Sequence, residues 1–263
     1  ALTMLLNIVA LWKQEARKPG ATTAAARAAR KGFSAAWAEF VQGGRASRLL
    51  VAVALGSAAF GMQDILLEPY GGQILGMAVG ATSALTALLA GGALGAFALA
   101  SRWLARGADP CRMAAIGALV GVVAFAAVIF ANPLESALLF RIGAVLIGCG
   151  GGLFAVGTLT AAMGLDSHEH NGLALGAWGA VQASATGLAM AAGGALRDLF
   201  SGLAAQGALG PALTGPAVGY AVVYHIEIVL LFATLVAIGP LVRRAVVSRA
   251  QAPVPFGLAE LPG

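Results

Sequence analysis

Six apolar stretches, each about as long as a bilayer crossing, constrain this chain more than any other feature. They run from Leu49 to Leu67, Gln73 to Ala100, Met113 to Phe130, Leu138 to Met163, Leu173 to Leu196 and Val218 to Leu241. A helix rises 1.5 Å per residue, so about 20 apolar residues cross about 30 Å of hydrocarbon. Lipid offers no partner to backbone amides, and a helix satisfies them within the segment itself. The composition agrees: 59% of the 263 residues are hydrophobic, 10% are charged and the mean hydropathy is +0.87. Soluble domains carry about 25% charged residues. Too few charges remain to coat a water-facing surface, which excludes a soluble enzyme and predicts an all-α membrane protein.

The cations orient the helices. The net charge is +5 and the pI about 9.8, a balance that in a soluble domain points to nucleic acid. Here fourteen of the sixteen Lys and Arg residues fall in alternate connections. Lys13, Arg17, Lys18, Arg27, Arg30, Lys31, Arg45 and Arg48 fill the first linker, Arg102, Arg106 and Arg112 the third connection, and Arg243, Arg244 and Arg249 follow the last helix. Arg141 and Arg197 are left for the opposite side. Positive charge stays in the cytoplasm, so residues 12–48 read as a cytoplasmic linker and residues 242–263 as a cytoplasmic tail, with the bundle over 49–241. Trp12 and Trp103 are expected at the cytoplasmic boundary and Tyr70, Tyr220 and Tyr224 at the other, as an aromatic belt. Residues 1–11 are apolar but too short to span and lack a basic n-region, which predicts the tail of a transmembrane helix rather than a signal peptide. Within the linker, Phe33, Trp37 and Phe40 or Val41 recur at helical spacing, as in a short amphipathic helix lying on the membrane or on the protein's own cytoplasmic face.

Motifs for common chemistry are missing from the sequence: GxxxxGK[ST], HExxH, GxSxG and the EF-hand loop do not occur. Cys111 and Cys149 lie far apart without a CxxC or Cys/His grouping and read as small apolar residues. Asp166, His168, Glu169 and His170 cluster in one connection, yet two alternating histidines without a third His or Cys read as a polar loop, so no metal site is expected. Glycines spaced by four, Gly76 with Gly80, Gly91 with Gly95, Gly117 with Gly121 and Gly148 with Gly152, predict close helix crossings in lipid.

Ionisable and polar groups inside apolar segments point to function, because a charge in hydrocarbon is costly and faces a cavity or a partner. Glu227 lies nine residues into the last helix, about 14 Å along it and near the membrane centre. His225 falls on a different face, whereas Tyr224 and Glu227 at i, i+3 share one. Glu227 is a candidate for binding a proton or polar ligand, His225 for ligating the magnesium of a chlorin, and Gln182 for a polar ligand. Hydrogen bonding between helices accounts for the same residues without a ligand.

The most distinctive string is Gln63-Asp64-Ile65-Leu66-Leu67-Glu68-Pro69-Tyr70-Gly71-Gly72. Asp64 and Glu68 are four apart, which predicts both carboxylates on one helix face just before Pro69 and Gly71-Gly72 break the helix. This string resembles the QDxLLEPYGG signature of the PucC/LhaA family, light-harvesting assembly proteins of purple phototrophic bacteria within the major facilitator superfamily. The resemblance implies a major-facilitator-type six-helix bundle, helices 7 to 12 of twelve, preceded by the end of helix 6 and the cytoplasmic linker. It also implies a missing N-terminal six-helix half, with a central site between the halves.

The implied function is non-enzymatic: assembly of bacteriochlorophyll-containing antenna complexes by handling pigment or escorting antenna polypeptides in the intracytoplasmic photosynthetic membrane. Implied ligands are bacteriochlorophyll, carotenoid or lipid; implied partners are light-harvesting antenna polypeptides, the reaction-centre complex and membrane lipids, with no nucleic acid. On this reading Gln63, Asp64, Glu68, Pro69, Tyr70, Gly71 and Gly72 shape or gate the site, with Arg141 as an ion-pair partner of the acids. His225, Gln63 or Gln182 would offer a magnesium ligand. The alternative is a secondary transporter of pigment, lipid or a small solute, with Glu227 as the coupling acid. A bacteriochlorophyll prenyl synthase is disfavoured, since such enzymes carry two Asp-rich motifs and this chain has none.

Overall fold

A computed structural model of the chain describes Trp37, residues 44–165 and the backbone of residues 171–250, with side chains over 172–242. Most of the expected linker and amphipathic segment, the cluster at residues 166–170 and the tail beyond 250 lie outside the described residues. Their regular structure is all helical, with no strand among the described residues: α1 (Arg45–Met62), a 3-10 turn (Gln63–Ile65), α2 (Leu67–Gln73), α3 (Val79–Ala105), α4 (Pro110–Ala131), α5 (Ala137–Met163), α6 (Asn171–Ala205) and α7 (Val218–Ala250). Five segments are long and apolar enough to cross a membrane: Arg45–Gln73, Val79–Ala105, Pro110–Ala131, Ala137–Met163 and Val218–Val242. The sixth long helix, α6, carries Gln182, Ser184 and Thr186 in its middle and is more polar. The chain is a multi-pass helical membrane bundle.

The helix starts are written locally. Asp109 caps α4 by accepting a hydrogen bond from the Arg112 amide at 3.0 Å, with Pro110 at the first helical position. Ser136 caps α5 through the Leu139 amide at 3.2 Å. After α2 the chain turns at Gly76, whose φ of 61° is the left-handed conformation glycine adopts without a Cβ penalty.

Packing of α3, α4 and α5 rests on absent side chains. α5 lies between the other two and meets both at backbone distance. A Cβ at Gly92 would collide with the Val145 carbonyl, and one at Gly148 with the Leu89 carbonyl. On the other face of α5, a Cβ at Gly150 would sit 2.7 Å from the Gly117 carbonyl, and one at Gly157 2.7 Å from that of Pro110. Lipid supplies little driving force for helix association, so close van der Waals contact between backbones takes that role. Two of the four expected glycine pairs therefore pack as predicted, Gly117 with Gly121 and Gly148 with Gly152. The others do not: Gly76 forms the turn, and Gly80, Gly91 and Gly95 face open space. Periodicity marked the right helix in α3 but the wrong face, since Gly92 is the residue in contact.

On the other side of the bundle α1 packs against α6 and α7, and α7 also packs on α4. The core they share contains Met62, Tyr70, Phe125, Val128, Phe140, Tyr220, Tyr224 and Leu231, all nearly inaccessible.

Candidate functional site: a polar and aromatic interior beside the helix break

Pro69 sets the geometry of the site from a distance. In a continuous helix its ring would press on the carbonyl of Ile65, four residues back, which would also lose its hydrogen bond. The backbone instead tightens: the Leu66 amide bonds to the Gln63 carbonyl at 2.9 Å, and α2 then starts at Leu67 with Pro69 in its first turn, where no amide hydrogen is needed. The break thus falls at residues 63–66 and not after Pro69, and Gly71 and Gly72 are helical.

The tightened turn sorts the signature residues. Gln63 is buried and Asp64 exposed; Glu68, Pro69 and Gly72 are exposed, Tyr70 and Gly71 buried. Gln63 Nε2 donates to Asp64 Oδ1 and to the Phe60 carbonyl, while Gln63 Oε1 is buried without a partner. Glu68 accepts a hydrogen bond from Thr86 Oγ1 at 2.6 Å, tying α2 to α3. The two acids therefore serve different elements. Arg141, the expected ion-pair partner, is exposed near the start of α5 and pairs with neither acid among the described residues. A Cβ at Gly71 would come within 3.1 Å of the Phe140 ring and 3.3 Å of Leu85, so this position is tight.

Tyr70 enters the core at the centre of an aromatic group. Its ring centroid lies 5.4 Å from Phe140, 5.3 Å from Tyr220 and 5.5 Å from Tyr224, the two tyrosines edge-on, and its hydroxyl donates to the Val128 carbonyl at 3.4 Å. Phe125 lies 6.2 Å from Tyr224 and 6.1 Å from Phe60. The expected tyrosine belt at the lipid boundary is thus overturned: all three tyrosines are interior, where edge-to-face contacts stabilise the rings.

Arg197 and Gln73, to which sequence reasoning gave no role in the site, close one end of this group. Arg197 of α6 donates from Nη2 to Gln73 Oε1 and to the Tyr220 hydroxyl, both at 2.7 Å, and from Nη1 to Asp198 at 2.6 Å. Its guanidinium also lies 4.6 Å over the Tyr220 ring, and Tyr220 donates to Gln73 at 2.7 Å. Arg197 thereby ties α2, α6 and α7 together. Its isolation from the cytoplasmic cations was the available signal. Gly219 permits the contact, since a Cβ there would strike the Arg197 carbonyl and Ser201.

Helix α7 separates its polar residues by face, as the spacing predicts. Tyr224 and Glu227 are fully buried, and the Tyr224 hydroxyl and both Glu227 carboxyl oxygens have no hydrogen-bond partner. His225 points the other way and is exposed. Its Nδ1 donates to the Ala221 carbonyl at 2.6 Å, so Nε2 is the ring nitrogen not engaged by the helix. Around it Val222, Ile226, Val229 and Leu230 line an open apolar groove of about 340 Å³ on the outer face of the helix. Gln182 is half-buried on α6. Among the described residues no group of three or more His, Cys, Asp or Glu side chains is arranged to hold a metal ion.

Residues 1–246 match the family profile described as "PUCC protein". The chain belongs to the PucC family. It is similar, at 50% identity over 243 residues, to an "Uncharacterized protein in puhA-bchM intergenic region" of Rhodobacter capsulatus, covering 92% of this chain and 50% of that protein. It is 44% identical over 244 residues to "Protein PucC" of Cereibacter sphaeroides, covering 93% of this chain and 52% of that one. It is also 50% identical over 188 residues to "Protein PucC" of Rhodovulum sulfidophilum, covering 70% and 40%. The chain thus spans about half the length of the curated PucC-family relatives it matches, all from purple bacteria. No solved structure matches it.

Proposed function

We propose that this chain is the helix 7 to 12 half of a non-enzymatic assembly factor for bacteriochlorophyll-containing light-harvesting complexes. It handles bacteriochlorophyll at the outer face of α7 and works in the photosynthetic membrane with its C-terminus in the cytoplasm. The observation that carries this reading is the placement of His225, exposed in an apolar groove with its ring held by the Ala221 carbonyl. The Nδ1–H bond to the Ala221 carbonyl orients the ring, so Nε2 is the ring nitrogen left for a metal. The groove around it is apolar and open, which suits a flat, hydrophobic macrocycle lying against the helix. A chlorin magnesium would supply the Lewis acid; the chain's part is to orient Nε2 and to exclude water from that face. Membership of the PucC family supports the same assignment.

The test is purification of the full-length protein from phototrophic membranes in mild detergent, followed by a near-infrared absorption spectrum and identification of copurifying polypeptides. Bacteriochlorophyll absorption with antenna polypeptides is the expected result, and His225→Leu, which keeps the groove apolar, is expected to lose most of the pigment while the protein stays monodisperse. A colourless wild-type protein without antenna subunits overturns the assignment.

A further inference from the structure

The apolar interior of the bundle contains a set of oxygens that the packing does not satisfy. Glu227 is 0% exposed and both its carboxyl oxygens lack partners. Tyr224, one turn earlier on the same face, is 0% exposed with an unpartnered hydroxyl, and Gln63, 2% exposed, leaves Oε1 unpartnered. Buried polar groups in proteins are almost always hydrogen-bonded, so three in one bundle core call for a ligand. Most of these oxygens are acceptors, and what they lack is a donor.

Among the described residues no cation provides one. Arg197 is committed to Gln73, Tyr220 and Asp198, and His225 faces outward. The ionisable groups that face Glu227 are Asp64 from the 3-10 turn and, along α7 itself, Tyr224, with Tyr70 and Tyr220 in the ring group beyond it. The described part of α4 contributes Phe125 and Val128 to this core and no charge. Asp64 follows Gln63 in the 3-10 turn and is exposed, whereas Gln63 is buried.

We infer that Glu227, with Tyr224 three residues before it on the same buried face of α7, forms an occluded proton-binding site. The reaction is the simplest one: a proton from the aqueous phase adds to a Glu227 carboxylate oxygen and gives the neutral acid, whose O–H is the donor the site lacks. A metal ion is the competing ligand; three or four oxygens from neutral and singly charged groups make a sparse shell for a hard cation, which takes six or more.

The experiment is infrared difference spectroscopy on the purified full-length protein at neutral pH, exchanged between H2O and D2O. A protonated carboxylic acid gives a deuterium-sensitive C=O band that a carboxylate does not. The expected result is one such band, lost in Glu227→Gln and shifted in Glu227→Asp. Should Glu227→Gln fail to fold, the shift in Glu227→Asp makes the assignment. Absence of the band from the wild type, its persistence unchanged in the Glu227 variants, or its removal by sodium chloride overturns the inference, the last in favour of a cation. The outcome is separate from that of the pigment assignment, since a colourless protein still shows or lacks the band.

Discussion

Tyr220 shows how one hydroxyl joins three helices. It accepts from Arg197 and donates to Gln73, so removing it leaves a guanidinium nitrogen and an amide oxygen with one bond fewer each. Tyr220→Phe keeps the ring under the guanidinium and is expected to cost about 1 kcal/mol, the usual net value of a hydrogen bond, because the cluster is partly exposed. Thermal unfolding in detergent reads this directly. Tyr70 behaves differently. Its hydroxyl bond to Val128 is long, at 3.4 Å, whereas its ring touches three other rings. Tyr70→Phe is therefore expected to be nearly neutral, and Tyr70→Ala to lower the unfolding midpoint strongly through the cavity it leaves.

At the scale of elements, the crossing of α3 and α5 gives a matched pair of tests. A Cβ at Gly148 would enter the Leu89 carbonyl, which belongs to backbone and cannot move aside, while one at Gly91, on the open face of α3, meets nothing within 4 Å. Gly148→Ala is expected to destabilise by about 1–3 kcal/mol, the range for overpacking, and Gly91→Ala to be neutral or slightly stabilising through helix propensity. Equal effects in the same unfolding assay would contradict the backbone contact between these helices. The break between α1 and α2 has an equally local origin. Pro69→Ala restores an amide donor and removes the ring, so the 3-10 turn is expected to relax toward a continuous helix. A spin-label distance between α1 and α2 that stays unchanged would show that tertiary packing, rather than proline, holds the turn.

For the whole molecule, the distribution of unexplained glycines is uneven. Those of α4 and α5 meet neighbouring helices closely, while Gly80, Gly91 and Gly95 of α3 and Gly172, Gly176, Gly179, Gly187 and Gly202 of α6 have open space where a Cβ would stand. Small residues on an open helix face in lipid are suited to another helix, and the curated relatives are about twice as long as this chain. The paired substitution Gly91→Leu with Gly95→Leu fills open space here and is expected to leave this bundle folded. Made at the matching positions of one of the longer PucC relatives, it is expected to weaken association with the part of that protein this chain does not match, measured by copurification of the two parts expressed separately. Unimpaired copurification would remove α3 from that contact.

Much of this was legible in the sequence. Six long apolar segments required helices, since lipid satisfies no backbone group, and the spacing of Tyr224, His225 and Glu227 already placed the histidine away from the acid, because a helix turns about 100° per residue. The signature string likewise named its family before any contact was known. What needed the tertiary structure was each statement about a partner. Whether Tyr70, Tyr220 and Tyr224 faced lipid or each other, whether Gly91 or Gly92 met α5, and whether Arg141 or Arg197 held the polar end all depended on which helix lay alongside. Periodicity fixes the angle of a residue around its own axis, and in a chain whose faces are nearly all apolar it contains no information about the neighbour. That choice is made by shape, through backbones close enough to touch and through the few hydrogen bonds strong enough to select one packing from many.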